Sequence, residues 1–161
     1  MIFVTVGTHE QPFNRLIQKV DELVRDGKIT EEVFMQIGYS TYNPKYTKWA
    51  KVIGYDEMTN YLAKADVVIT HGGPSTYMKA LQLGKIPIVV PRQEKFDEHI
   101  NDHQVWVSKQ VIAKGYSFIL CENIENLLLD IKKSSTEHVA SHNSHNSRFI
   151  AGLYSEIEKI M

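Results

Sequence analysis

The chain has 161 residues, 43% of them apolar and 23% charged, with 18 Lys+Arg against 19 Asp+Glu for a formal charge of -1. That length fits one compact domain, and that balance excludes disordered, collagenous and coiled-coil classes. Near-zero net charge also argues against nucleic acid as a partner, because affinity for a phosphate backbone needs clustered cations in excess.

Short β-branched runs alternate with longer amphipathic segments along the chain, the pattern of βαβ units around a parallel sheet. The first strand is expected at Ile2–Val6, and the stretch up to Gly7 has neither the basic region nor the apolar length of a signal peptide, so a cytoplasmic protein is expected. A helix follows from about Phe13, where Leu16, Val20, Leu23 and Val24 share one face and Gly27 ends it. Further strands are predicted at Val33–Ile37, Lys51–Ile53, Val67–Thr70, Ile86–Val90 and Phe118–Leu120. Helices are predicted to start near Asp56, which is placed as a cap, and near Ser75, Asn101 and Ile124. A last helix is expected from Ser147 to Met161, after a polar patch at Ser134 to Ser147 that reads as an exposed connection. The fold class is therefore α/β: a Rossmann-like doubly wound parallel sheet forming one domain over residues 1–161. Cys121, the only cysteine, lies in an apolar run and reads as a buried small side chain. No apolar run approaches the roughly 20 residues that span a bilayer.

In such a sheet, ligands bind beyond the carboxyl ends of the strands, so the loops after strands carry the functional signal. In the first, Gly7-Thr8-His9-Glu10-Gln11-Pro12, the glycine allows close backbone approach, and Thr8 with the following helix amides suits phosphate oxygens. His9 beside such a site could neutralise a leaving diphosphate or move a proton; a local hydrogen bond is the plainer alternative. In the second, His71-Gly72-Gly73-Pro74-Ser75-Thr76, two glycines and two hydroxyls at a helix start make a concavity of N–H donors suited to a diphosphate. The third, from Pro91-Arg92 through Glu98 and His99 to Asp102-His103-Gln104, has carboxylates, amides and imidazoles that could grip sugar hydroxyls, or be solvated surface. His99 and His103 stand four apart, but no third ligand accompanies them, and the His138, His142, His145 set reads as a polar face; no metal is expected. After the third predicted strand, Gly54-Tyr55-Asp56 could meet a base, with Tyr55 stacking. The loop Gly38 to Trp49, with Tyr39, Tyr42, Tyr46 and Trp49, reads as a partner or ligand surface. There is no Gly-x-Gly-x-x-Gly, no P-loop and no Asp-x-Asp, which argues against nicotinamide, flavin, NTPase and metal-chelating sugar-nucleotide sites.

Phe3-Val4-Thr5-Val6-Gly7-Thr8, Gly54-Tyr55-Asp56-Glu57-Met58, Ala65 to Gly73, Gly84-Lys85-Ile86-Pro87-Ile88-Val89-Val90-Pro91-Arg92 and Asn101-Asp102-His103-Gln104 carry, in this order and spacing, a resemblance along nearly the whole chain. The chain resembles the C-terminal, donor-binding domain of GT-B glycosyltransferases of family 28, and within it the small catalytic subunits of split dolichol-pathway and bacterial capsule or exopolysaccharide enzymes. The resemblance implies that Gly7 and Thr8 face the donor phosphates and Tyr55 sits at the uracil through its backbone. It also implies that Gly72 to Thr76 cradle the diphosphate and that Asp102, His103 and above all Gln104 hold the sugar. His71, Ser75, Arg92 and Glu98 join them as candidate donor-binding residues, with His9 the candidate catalytic one. One departure is Lys79, where the family carries an acidic residue on the ribose; Lys79 could meet a phosphate, and Glu98 could take over the ribose.

A complete GT-B enzyme needs two such domains, about twice this length, so the acceptor site and general base are expected on a second polypeptide. The resemblance implies a membrane-anchored partner subunit that holds the chain at the inner face of the plasma membrane, with a lipid-linked saccharide as acceptor and a UDP-sugar as donor. The expected function is inverting transfer of a hexose from UDP-galactose, or second UDP-N-acetylglucosamine, in capsular or exopolysaccharide assembly, with no cofactor. Alternatives are a non-catalytic nucleotide-sugar-binding regulatory subunit and a two-domain nucleotide-sugar 2-epimerase, which the length disfavours. The apolar positions Phe149, Ile150, Leu153, Ile157 and Ile160 and the exposed tyrosines are the expected contacts with the partner.

Overall fold

A computed structural model describes residues 1–140, with side chains to residue 136. Six parallel strands make one sheet in the order β3-β2-β1-β4-β5-β6, with β1 at Ile2–Thr5, β2 at Val33–Gln36, β3 at Lys48–Ala50, β4 at Val67–His71, β5 at Ile88–Val90 and β6 at Ile119–Leu120. The central pairings align Ile2 with Val33 on one side and with Val67 on the other. All four residues of β1 and all five of β4 are buried, as continuous β-branched runs covered on both faces require.

Helix α1, Asn14–Arg25, and helix α5, Leu127–Ala140, cover one face, where Leu16, Ile17, Val20, Leu127 and Ile131 pack on Val4, Met35, Ile69 and Ile88. The other face carries α2, Tyr55–Lys64, α3, Pro74–Gln82, and α4, His103–Ala113. There Leu62 and Ala80 meet Phe3 and Val68, and Tyr77, Leu81, Val107 and Val111 meet Val89 and Phe118. Each fully buried aliphatic side chain contributes about 1.5 to 3 kcal/mol, so this two-sided burial fixes the register of the strand ends. Gly27, at φ 71, turns the chain out of α1 as its sequence position suggested.

Several expectations shift. The third strand is Lys48–Ala50, paired with Phe34 to Gln36, and not Lys51–Ile53; Val52 projects into solvent instead. Asp56 does not cap α2: the cap is Gly54, whose extended backbone starts the helix without a side-chain bond, and Asp56 stands in the first turn. Helix α4 begins at His103, two residues later than expected, and a short 3-10 turn at Ile124–Asn126 leads into α5. The start of the polar patch is not an exposed connection. Ser134 lies buried in α5 and its hydroxyl donates to the Ile86 carbonyl at 2.8 Å. Residues 141–161, with His142, His145 and the apolar residues expected to meet a partner, lie outside the described residues, as does the side chain of His138. Among the described residues no helix is long and apolar enough to cross a membrane.

Candidate functional site

The loops after β1, β4 and β5 converge at the carboxyl edge of the sheet, because these three strands are neighbours in it. At the centre is the imidazole of His71, the last residue of β4. A Cβ added to Gly7 would fall 2.5 Å from His71 Nε2, and one added to Gly73 would strike Cε1. Gly7 is also at φ 73, a conformation that costs an L side chain about 1 to 2 kcal/mol. The ring is thus clasped by two glycines from different loops. Its Nδ1 accepts a hydrogen bond from the Gly73 N–H at 3.1 Å, which leaves the proton of the neutral ring on Nε2, facing the first loop. Burial first, then the neighbouring Arg92, His9 and His99, push its pKa down to about 3, so the ring is neutral at physiological pH.

Gly73 is the N-cap of α3 and Pro74 its first residue, so the first-turn amides of Ser75 and Thr76 have no carbonyl four residues back to pair with. With their hydroxyls, Ser75 exposed and Thr76 half-buried, they make the positive end of a helix directed at the corner. Gly72 is engaged from behind: its N–H and that of Arg92 both donate to Gln104 Oε1 at 3.0 Å. A Cβ at Gly72 would overlap Gln104 Cβ at 2.8 Å, so glycine is needed for this contact. The Gln104 carbonyl therefore ties the β4 and β5 loops together, and its amide nitrogen is the part left to meet a ligand.

The remaining candidates divide by position. Thr8 is exposed beside the corner. His9 stacks on His99 with ring centres 4.6 Å apart, and its Nε2 pairs with Gln11 Oε1 at 2.9 Å. Burial, followed by the charges of His9 and Arg92, lowers the His99 pKa. His99 precedes α4, so it does not share a helix with His103, whose ring leans on Trp106. Asp102 accepts from the Glu94 N–H at 2.9 Å through Oδ1 and is exposed at the start of α4. Tyr55, 76% exposed, opens α2 across from α3. Lys79 spans that gap: its ammonium sits 3.6 Å from the Tyr55 ring centre and donates to Thr59 Oγ1 at 2.6 Å. This cation–π contact occupies one face of the ring that a base could stack on.

Arg92 and Glu98 are placed differently from a ligand-facing pair. Both are buried. Glu98 receives Arg15 Nε and Nη2 at 2.9 and 3.0 Å and the Gln93 N–H at 3.1 Å, so both carboxylate oxygens are committed within the protein. Arg15 is thus a part of the site that no local spacing in the sequence singled out, because its carboxylate partner lies more than 80 residues away. Pro12, Asn14, Arg15, Phe96, Asp97 and Glu98 line an open groove of about 440 Å³.

The tyrosine loop is held, not loose. Buried Asp21 of α1 accepts from the Tyr42 hydroxyl at 2.6 Å and from the Lys45 and Tyr46 N–H groups at 3.0 and 2.8 Å. Asn14 binds Thr41 and Tyr42, and the Ser40 hydroxyl receives the Phe13 N–H at the start of α1. Tyr39 and Tyr46 are left 60% and 52% exposed.

Comparison with known proteins decides what this edge belongs to. The family model described as the glycosyltransferase family 28 C-terminal domain matches residues 1–157. The chain belongs to this family. Two relatives bear the name UDP-N-acetylglucosamine transferase subunit ALG13: the human protein, 32% identical over 131 residues, and that of Yarrowia lipolytica, 26% identical over 135. The matches take in 73% and 74% of this chain but 11% of the human protein and 64% of the yeast one. A solved glycotransferase of kitacinnamycin aligns over 98% of this chain and 39% of its own, with a TM-score of 0.56 at 15% identity, a likeness of fold. As a member of family 28, the chain carries a glycosyltransferase domain with the doubly wound architecture read from its sequence.

Proposed function

We propose that this family 28 chain is the donor-binding and catalytic subunit of an inverting, UDP-sugar-dependent glycosyltransferase completed by a second polypeptide. The observation that carries the reading is the corner itself: free first-turn amides and hydroxyls of α3, and a neutral histidine with its Nε2 proton turned to the first loop, converge at one point of the sheet edge. Such donors suit a diphosphate, whose charge grows as it leaves. In the proposed reaction an acceptor hydroxyl attacks the anomeric carbon from the side opposite UDP. The bond to the diphosphate breaks, its electron pair leaves with UDP, and the acceptor proton passes to a base on the partner. Gly7, Thr8, Gly72, Gly73, Ser75 and Thr76 would hold the diphosphate, the Gln104 amide, Asp102 and His103 the sugar, and Tyr55 the uracil. His9 would lie against the leaving group.

The name shared by the relatives supports N-acetylglucosamine as the sugar, ahead of galactose, and supports a subunit that works with a partner. A membrane-anchored partner would bring the chain to a lipid-linked saccharide acceptor; capsular or exopolysaccharide assembly is the setting proposed. Calorimetric titration of UDP into the purified chain tests the reading. Saturable binding, lost in Gly73→Val, is expected, and no saturable binding at millimolar UDP overturns it. Turnover by the reconstituted pair should also collapse in Gln104→Ala; survival would make the chain a scaffold, with catalysis wholly in the partner.

A further inference from the structure

The guanidinium of Arg92 is fully buried behind the first loop. Nη2 donates to the Val6 carbonyl at 2.8 Å, and Nη1 donates to the carbonyls of Gln11 and Glu98 at 2.6 and 3.1 Å. Val6 and Gln11 bound the loop that contains Gly7, Thr8 and His9, so one side chain from the β5 loop fixes both ends of the β1 loop. The guanidinium carbon lies 5.0 Å from the centre of the Phe13 ring, which closes the opposite side. Nε is buried and has no hydrogen-bond partner among the described residues.

No carboxylate oxygen bonds this group, and the nearby Glu98 carboxylate, which attracts it, is shared with a second cation, Arg15. Every acceptor of the guanidinium is a neutral carbonyl, and the nearby Glu98 carboxylate is taken by Arg15 and the Gln93 N–H. Burial lowers the Arg92 pKa to about 10 against the opposing pull of the nearby Glu98 carboxylate, which still leaves it cationic at neutral pH. An unpaired buried cation is costly, and amide groups could bind carbonyls without that cost. The cost is offset if an anion binds on the other side of the loop, where the low dielectric lets the attraction act through the intervening backbone.

We propose that Arg92 is a positioning residue for the donor's diphosphate: it sets the loop of residues 7–10 from both ends and places behind it a positive charge bonded to no carboxylate, without touching the ligand. The proposal rests on the donor reading above and extends it to a residue that lies out of ligand reach.

The experiment is a titration of the full chain and of its Arg92→Met and Arg92→Lys variants with uridine, UMP and UDP, beside thermal unfolding of each. Arg92→Met is expected to lose about tenfold in UDP affinity while uridine affinity stays within about twofold, because only the phosphates feel the loop and the charge. Arg92→Lys keeps the charge but cannot reach three carbonyls, and should fall between the two. Should the methionine variant not fold, the lysine variant decides, with a selective loss for UDP expected. A folded variant that binds UDP as the wild type does, or that loses uridine and UDP in parallel, overturns the proposal and makes Arg92 a structural residue only. Failure of the wild-type chain to bind UDP overturns the donor reading, and this proposal with it.

Discussion

The depressed pKa of His71 makes stability depend on pH in a way that a single substitution isolates. The unfolded chain binds a proton at this imidazole near pH 6.5, and the folded chain near pH 3, so over that interval the unfolded state carries more protons. Folding stability from this group is complete above pH 6.5 and falls as the pH is lowered toward 3. At about 1.4 kcal/mol per pH unit, lowering the pH from about 7 to about 5 removes about 2 kcal/mol. His71→Asn does not titrate and keeps an acceptor for the Gly73 N–H, so it should lose about 2 kcal/mol less over the same interval. Urea unfolding of both proteins at the two pH values gives the comparison, each referred to its own value at neutral pH, so that the other histidines cancel. Equal losses in the two proteins, or a His71 ring resonance that titrates near pH 6.5 in the folded protein, would refute the reasoning.

Gly73→Ala drives a methyl group into the buried His71 ring and should cost about 1 to 3 kcal/mol in urea unfolding and about tenfold in UDP affinity. Glu98→Gln leaves half-buried Arg15 without its carboxylate and should destabilise the fold by about 3 kcal/mol in thermal or urea unfolding. Unchanged stability with weakened UDP binding would instead return Glu98 to the ribose. The Tyr42 phenol, held up to about 12 first by its hydrogen bond to Asp21 and then by burial, should titrate at lower pH in Asp21→Asn, as followed by phenolate absorbance.

The sheet, the order of its elements and the glycine corner were legible in the sequence because they rest on local signals: β-branched runs, one-faced helices, and glycines before a Pro-Ser-Thr helix start. The third strand was not. Val52 and Ile53 look like strand residues, yet pairing with Phe34 to Gln36 fixes the edge at Lys48 to Ala50, a choice made by a partner strand and not by local pattern. Arg92 and Glu98 read as ligand contacts in the sequence because they stand in a polar loop after a strand, where such groups could grip the hydroxyls of a sugar. Their burial depends on Val6, Gln11 and Arg15, brought against them only by the neighbouring of β1, β4 and β5 in the sheet. Asp21 hid in the same way on the buried face of α1, where a carboxylate breaks the apolar pattern and its partners are backbone amides of a loop whose course the sequence does not display.

The clasp of one imidazole by two glycines constrains how this corner can change over evolutionary time. An alanine at position 73 is admissible only beside a smaller residue at 71, one at position 7 must bear a left-handed backbone as well, and a bulkier residue at 71 is excluded while β1 and β4 remain in register. Position 7, more than 60 residues from the other two, must therefore drift together with 71 and 73 or stay fixed with them, and a homologue that has altered one of them alone should have moved a loop.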